Sequence, residues 1–128
     1  MRLKQHLKER GMNPNLYKPA YGYSANKITF FLYNLSGQLV GYQHYRPKAG
    51  KKRQRNDPKF GRYFTYCPAQ TIAVFGLECL DRSKETLFVT EGVFKAAVLH
   101  RLGYNAIAVL TSTPNPIVTG KQIGRAHV

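Results

Sequence analysis

Glu91 is the side chain whose type and position in this sequence best suit chemistry. It follows the apolar run of Leu87, Phe88 and Val89 and precedes Gly92, after which apolar residues recur at helical spacing. A short apolar run before an amphipathic helix is typical of a parallel β-strand, and ligands collect at the carboxyl ends of such strands. A carboxylate there can hold a divalent cation or act as a general base. The alternative is an acid that only stabilises the N-terminus of the helix through its dipole.

A basic stretch between residues 46 and 62 is the second feature suited to binding chemistry. It contains eight positively charged side chains and a single acid, Asp57. Glycines and prolines interrupt it, which predicts a loop, and the aromatic residues that flank it can stack on bases: Tyr45, Phe60, Tyr63, Phe64 and Tyr66. We predict that the stretch binds phosphates of nucleotides or nucleic acid, through Arg46, Lys51, Lys52, Arg53, Arg55, Lys59 and Arg62. The alternatives are a solvated charged face and aromatic residues that only pack in strands.

The charge of the whole chain favours the same class of partner. Its 128 residues contain 20 Lys and Arg against 6 Asp and Glu, a formal net charge of +14. Such a surplus attracts polyanions, so nucleic acid or nucleotide phosphate is the expected partner. A protein that is merely basic or ribosome-associated is the alternative that composition leaves open.

Cysteine content and hydropathy exclude other classes. Cys67 and Cys79 are too few for a four-ligand zinc site, so both are predicted to be reduced, buried thiols. No stretch is apolar for long enough to cross a bilayer, and the first residues lack the apolar core of a signal peptide. We therefore expect a cytoplasmic protein without a membrane partner.

The first half of the chain is predicted to form a helix and an antiparallel platform. Leu3 and Leu7 share one face of a helix over residues 3–9, and Gly11 is a plausible stop. The β-branched and aromatic runs 28–33 and 39–45 predict two strands, joined by a hairpin in which Gly37 takes a positive φ.

The second half is predicted to contain a parallel βαβ unit. Residues 71–75 are predicted to form a further short strand or a buried turn, and a short helix is expected within residues 77–83. The strand at 87–89, a helix that ends at Gly103, and the strand Ala106 to Leu110 then form a right-handed crossover. The expected fold class is α+β, with a small antiparallel β platform before the βαβ unit.

Several segments resemble a known enzyme family. The sequence TEGVFKAAVLHRLGYNAIAVLTS, from Thr90 to Ser112, resembles the first half of a Toprim domain, the nucleotidyl-transfer and strand-cleavage module of primases and topoisomerases. Earlier segments resemble the catalytic core of bacterial and phage primases in the same order: HLKERGM, ITFFLYNLSGQLVGYQHYRP, DPKF and VFGLECL. The resemblance covers about residues 5–115 and implies an incomplete Toprim unit after the platform.

The resemblance also implies roles for particular residues. Glu91 corresponds to the family's catalytic glutamate beside a Mg²⁺ site, and Arg46 and Lys59 correspond to residues that face phosphates. The intact protein is then expected to be a phage or plasmid replication protein that makes RNA primers on single-stranded DNA. Its implied partners are single-stranded DNA or RNA, nucleoside triphosphates, Mg²⁺ and a replicative helicase.

Three departures from the family pattern qualify this expectation. Lys95 stands where the family commonly has an acid, Val74 and Phe75 replace a basic residue, and no Asp-x-Asp motif follows. QIGRAHV at the end matches what one frame of a common sequencing-adapter oligonucleotide encodes. We therefore expect a primase-core-like region over residues 1–68, a partial Toprim domain over 69–116, and an irregular tail over 117–128 that is not native sequence.

Under this hypothesis the reading frame is truncated within the Toprim domain, and the chain as given is inactive. The alternative function is a noncatalytic nucleic-acid-binding protein on a Toprim scaffold, which Lys95 would suit. A Toprim nuclease or topoisomerase is less favoured, because no tyrosine stands in a recognisable nucleophilic setting.

Overall fold

A mixed β-sheet runs through the part of the chain that the computed structural model describes, residues 2–49 and 60–110. Its strands are β1 (Ala20–Gly22), β2 (Lys27–Tyr33), β3 (Leu39–Tyr45), β4 (Tyr63–Tyr66), β5 (Ala73–Phe75), β6 (Phe88–Thr90) and β7 (Ala106–Leu110). The described α-helices are α1 (Leu3–Glu9) and α2 (Val93–Arg101), and short 3₁₀ helices occupy Pro14–Leu16 and Leu77–Cys79. The predicted α+β class is therefore confirmed.

The strand order joins the predicted platform to the predicted βαβ unit. The order is β4-β3-β2-β5-β7-β6, with β1 paired to β2. All neighbours are antiparallel except β6 and β7, which are parallel and connected by α2. Val74 of β5 pairs with Tyr33 on one side and Val109 on the other, so the sheet crosses the boundary at residues 68 and 69. The division into two regions there stays a prediction.

Both faces of the sheet bury apolar side chains. On one face α1 and α2 cover the sheet, and Leu3 and Leu7 of α1 are fully buried, as their spacing predicts. Phe30 of β2 lies beneath them, in edge-to-face contact with Phe94 of α2. On the other face Val74, Val89, Ile107 and Val109 pack against apolar residues at positions 72–87. Strands β5, β7 and β6 are thus covered on both faces, which explains their nearly continuous apolar sequences.

Glycines adopt a positive φ at turns where the sequence predicts them. Gly37 lies in the β2–β3 hairpin at φ +85°, and Gly11 follows α1 at φ +87°. A Cβ at Gly11 would come 3.1 Å from Cγ2 of Val98, so the end of α1 packs directly against α2. Gly103 similarly ends α2 at φ +89°.

The structure differs from the sequence-based prediction mainly in the middle of the chain. Residues 63–66 form strand β4, paired with β3, which agrees with the alternative that these aromatic residues pack in a strand, although no strand was delimited there. Strand β1 was not predicted, and the helix expected within 77–83 is one 3₁₀ turn. Cys67 is buried and Cys79 partly buried, both as free thiols.

Candidate active site

The carboxyl end of β6 presents Glu91 to solvent. Thr90 is the last residue of β6, and its hydroxyl donates to the carbonyl of Gly92 at 2.9 Å, which fixes the turn around Glu91. Gly92 is the N-cap of α2 with φ −128°, so any residue could adopt its backbone conformation. Within residues 2–49 and 60–110, Glu91 has no hydrogen bond or ion pair. Its carboxylate is therefore available to a ligand.

Gly92 lies in open space at the start of α2. In the part of the chain that the structure describes, no atom outside its own neighbours lies within 4 Å of a Cβ built there. This leaves room for a ligand beside Glu91.

A groove lies between the end of α1 and α2, next to this turn. It encloses about 430 Å³ and is lined by Arg10, Thr90, Phe94, Lys95, Val98 and Leu99. Its floor is apolar, while Arg10 and Lys95 supply positive charge. A ligand that combines an apolar or aromatic part with an anionic group has the chemistry that such a groove accepts.

Arg10 is held in this groove by two aromatic residues. Its guanidinium carbon lies 3.8 Å from the centroid of the Phe94 ring, and Nη1 donates to the hydroxyl of Tyr45 at 2.9 Å. Stacking on a ring face and a charge-assisted hydrogen bond both favour a fixed guanidinium. Arg10 was not predicted as a site residue. The sequence pattern that indicates it is the spacing of His6 and Arg10, which are four residues apart on α1 and so share one helix face.

Tyr45 connects this groove to the end of β3. Its hydroxyl accepts from Arg10 and lies 2.7 Å from Nε2 of His6. The direction of the hydrogen bond between Tyr45 and His6 depends on the His6 tautomer. Burial, followed by the charge of Arg10, lowers the pKa of His6 and so favours its neutral ring. The Tyr45 ring also packs edge-on against Phe94, with centroids 5.0 Å apart.

Arg46 and Arg62 lie together directly beyond Tyr45. The backbone N–H of Arg46 donates to the carbonyl of Arg62 at 2.8 Å, and this bond extends the β3–β4 ladder. Nε of Arg62 donates to the carbonyl of Ala49 at 3.2 Å, while the Arg46 guanidinium lies 5.4 Å from the Phe60 ring centroid. The structure thus brings two of the predicted phosphate ligands side by side.

The predicted site residues are connected rather than in direct contact. Glu91 precedes α2 by two residues, and Phe94 of α2 packs on Tyr45, which adjoins Arg46. Lys51, Lys52, Arg53, Arg55 and Lys59 lie outside the described residues. In the described part of the site, the backbone leads from Glu91 to Phe94, and the contact of Phe94 with Tyr45 leads on to the paired arginines.

The described donor set does not complete a magnesium site. Mg²⁺ in proteins is held by one or two carboxylates together with substrate phosphates and water. Glu91 supplies one carboxylate, and Lys95 brings a positive charge to the first turn of the same helix. No group of three potential ligands among His, Cys, Asp and Glu occurs in the ranges 2–49 and 60–110.

A second polar cluster is structural. The hydroxyl of Tyr17 lies 2.6 Å from Nδ1 of His100, whose Nε2 donates to the carbonyl of Ala106 at 2.6 Å. The carbonyl fixes the tautomer, so Tyr17 donates to Nδ1. Burial raises the pKa of the nearby Cys79 thiol to about 11, which leaves it protonated and unreactive near neutral pH. These residues join the first 3₁₀ helix to α2 and β7.

Comparison with known proteins supports the fold. No protein family and no curated protein matches the sequence. In fold, the chain is similar to the solved structure of the Aquifex aeolicus primase, comprising its zinc-binding and RNA polymerase domains, with a TM-score of 0.56 and 15% identity. The match covers 82% of this chain and 36% of that one. None of the helices in the described ranges is long and apolar enough to cross a membrane. The chain thus has a primase-like α+β fold.

Proposed function

We propose that this chain is part of a Toprim-type primase that binds single-stranded nucleic acid and nucleoside triphosphates. The observation that carries the proposal is the position of Glu91, exposed and without a protein partner in the described residues, at the carboxyl end of a parallel strand. Ligands of open α/β sheets bind at this position. The fold similarity to a primase and the net charge of +14 support the same function.

In this proposal some residues take part in the reaction and others bind phosphates. Glu91 handles a proton of the attacking hydroxyl during phosphodiester formation and adjoins Mg²⁺, which would bind mainly through the triphosphate and further acids. Arg46 and Arg62 hold phosphates, together with Lys51, Lys52, Arg53, Arg55 and Lys59. Arg10 and Lys95 add positive charge where the groove opens beside Thr90. The proposed setting is cytoplasmic replication of a phage or plasmid, alongside a replicative helicase.

A primer-synthesis assay tests the catalytic part. Glu91→Gln would be compared with wild type on a single-stranded template with Mg²⁺ and nucleoside triphosphates, in the full-length natural protein. Loss of a positioned acid or base costs roughly 100-fold or more in rate. Glu85→Gln, which removes an exposed carboxylate before β6, is the matched control and should retain activity. Equal activity of Glu91→Gln and wild type would exclude the assigned role.

The second candidate is a noncatalytic nucleic-acid-binding protein, and Lys95 favours it. Lys95 is exposed on the first turn of α2 and lines the groove beside Thr90, where its charge opposes a metal ion. Tight binding of a single strand without product at any Mg²⁺ concentration would support this candidate. Metal-dependent product that Glu91→Gln abolishes would support the enzyme.

A further inference from the structure

The outer face of the antiparallel half of the sheet carries a row of aromatic rings. Tyr42 pairs with Tyr66, and His44 pairs with Phe64, so all four side chains project from the same face. Their rings are in mutual contact: Tyr42 to Tyr66 at 5.4 Å, Tyr42 to His44 at 4.6 Å and His44 to Phe64 at 6.2 Å between centroids. Phe31 of β2 pairs with Tyr42 and extends the row. We call Phe31, Tyr42, His44, Phe64 and Tyr66 the aromatic face.

This face is not part of the core of the described residues. The helices pack on the opposite face, over Ile28, Phe30 and Leu32. No member of the aromatic face belongs to either buried cluster, and Tyr66 is 47% exposed. Tyr66 is exposed and the other four rings are partly buried, so the row keeps apolar surface in contact with solvent outside both buried clusters, which is typical of a binding surface.

The charged side chains that the structure describes on and next to strands β2, β3 and β4, around the aromatic face, are positive. Strands β2, β3 and β4 contain no Asp or Glu. Lys27 begins β2 on the same face as Thr29, the partner of His44, and Arg46 follows β3 on that face. Burial and the charges of Lys27 and Arg46 lower the pKa of His44 to about 4, so its ring is neutral near neutral pH. A polyanion therefore meets cations at the rim and uncharged rings in the centre.

We propose that the aromatic face binds single-stranded nucleic acid by stacking its rings on successive bases, with Lys27 and Arg46 contacting the phosphates. Exposed bases stack on aromatic side chains of a β-sheet with little sequence preference, while cations follow the backbone. The surface lies on the side of the sheet opposite the helices, and so differs from the groove beside Glu91. A nucleic-acid strand bound along this face would pass Arg46. The inference rests on the proposed nucleic-acid binding and not on catalysis.

Binding to two oligonucleotides of equal length separates stacking from charge. One is oligothymidylate, and the other has the same phosphates but abasic sugars; both are measured by fluorescence anisotropy with the whole chain. Stacking predicts that oligothymidylate binds at least roughly fivefold more tightly for each base that a ring contacts, since each stacked base contributes about 1–3 kcal/mol. Tyr42→Thr combined with Tyr66→Thr should remove most of this difference, whereas Tyr42→Phe with Tyr66→Phe should keep it. Threonine is chosen because it retains strand propensity.

The outcomes distinguish this inference from the function on which it rests. Equal affinity for both oligonucleotides would overturn stacking but leave phosphate binding intact, while no binding of either would overturn both. Photocrosslinking of an oligonucleotide that carries 5-iodouracil gives a second readout on the wild-type chain, even if the threonine variant does not fold. Attachment to Tyr42, His44, Phe64 or Tyr66 supports the inference. Attachment confined to residues beside Arg10 and Lys95 would overturn it, as would a self-associated dimer that covers the face.

Discussion

The guanidinium carbon of Arg10 lies over Phe94, 3.8 Å from the centroid of its ring, and Nη1 donates to the hydroxyl of Tyr45 at 2.9 Å. One residue at the end of α1 therefore connects the start of α2 with the end of β3. This relationship places the segment after Glu91 next to the strand that leads into the basic stretch. It depends on Gly11, whose positive φ lets α1 end against Val98.

Replacement of Arg10 by alanine should destabilise the fold by about 1–2 kcal/mol, because a cation–π contact and a charge-assisted hydrogen bond are both lost. Urea denaturation measures the change. Arg82→Ala removes the same charge from an exposed turn and should alter stability by less than about 0.5 kcal/mol. If the two variants were equally stable, the guanidinium would contribute only its charge.

Gly41 should be essential to the pairing of β3 with β4. A Cβ at Gly41 would collide with the carbonyl oxygen of Tyr66, a backbone atom that cannot move without breaking the ladder. Gly41→Ala is therefore expected to cost about 2 kcal/mol or more in unfolding free energy. Gly92→Ala is the matched control: φ is negative and the surrounding space is open, so it should cost no more than about 1 kcal/mol, the difference between glycine and alanine at an N-cap. A Gly41→Ala protein as stable as the control would contradict the described strand register.

Sequence patterns predicted the elements whose signals are local. The spacing of Leu3 and Leu7, the position of Gly37 and the two apolar runs around α2 each indicate structure within a few residues, and the helix, hairpin and βαβ unit were confirmed. Strand packing of Tyr63 to Tyr66 was only an alternative in the sequence analysis, because these residues pair with β3 across the basic stretch, and a local pattern does not identify such a distant partner. β5 was predicted as a strand, yet its place between β2 and β7 depends on two partners far away in sequence.

The site residues, like the fold, were predicted where the signal is local and missed where it is not. Glu91 was placed correctly at the end of β6, because the strand, turn and helix that surround it are contiguous. Arg10 was missed, since its importance comes from Phe94, more than 80 residues later, and a lysine or arginine on a short helix otherwise indicates a solvated face. The catalytic and phosphate-binding roles stay predictions.

Stability should fall as the pH drops from 6.5 towards 4, and His44 should account for part of the loss. Burial, then Lys27 and Arg46, lower the pKa of His44 from 6.5 to about 4, so within this interval the unfolded chain binds more protons than the folded one. Unfolding free energy therefore rises with pH across the interval. His44→Gln should flatten the curve in urea titrations, leaving the smaller contribution of His6, whose pKa is also lowered. Parallel curves for variant and wild type would show that His44 is not perturbed.

Binding of single strands should weaken steeply with salt if the basic stretch contacts phosphates. With about six contacts, affinity should fall by about two to three orders of magnitude between about 50 and 200 mM salt. Replacing Lys51, Lys52, Arg53 and Arg55 by glutamine should make the slope of log affinity against log salt shallower by about 3, since each contact on a single strand contributes about 0.7. A control with the same charge loss replaces Arg2, Lys4, Lys8 and Arg82, which are exposed elsewhere, and should keep the steep slope. A flat salt profile in wild type would mean that the stretch is only a solvated face. Equal slopes for both variants would mean that the affinity arises from the rest of the surface.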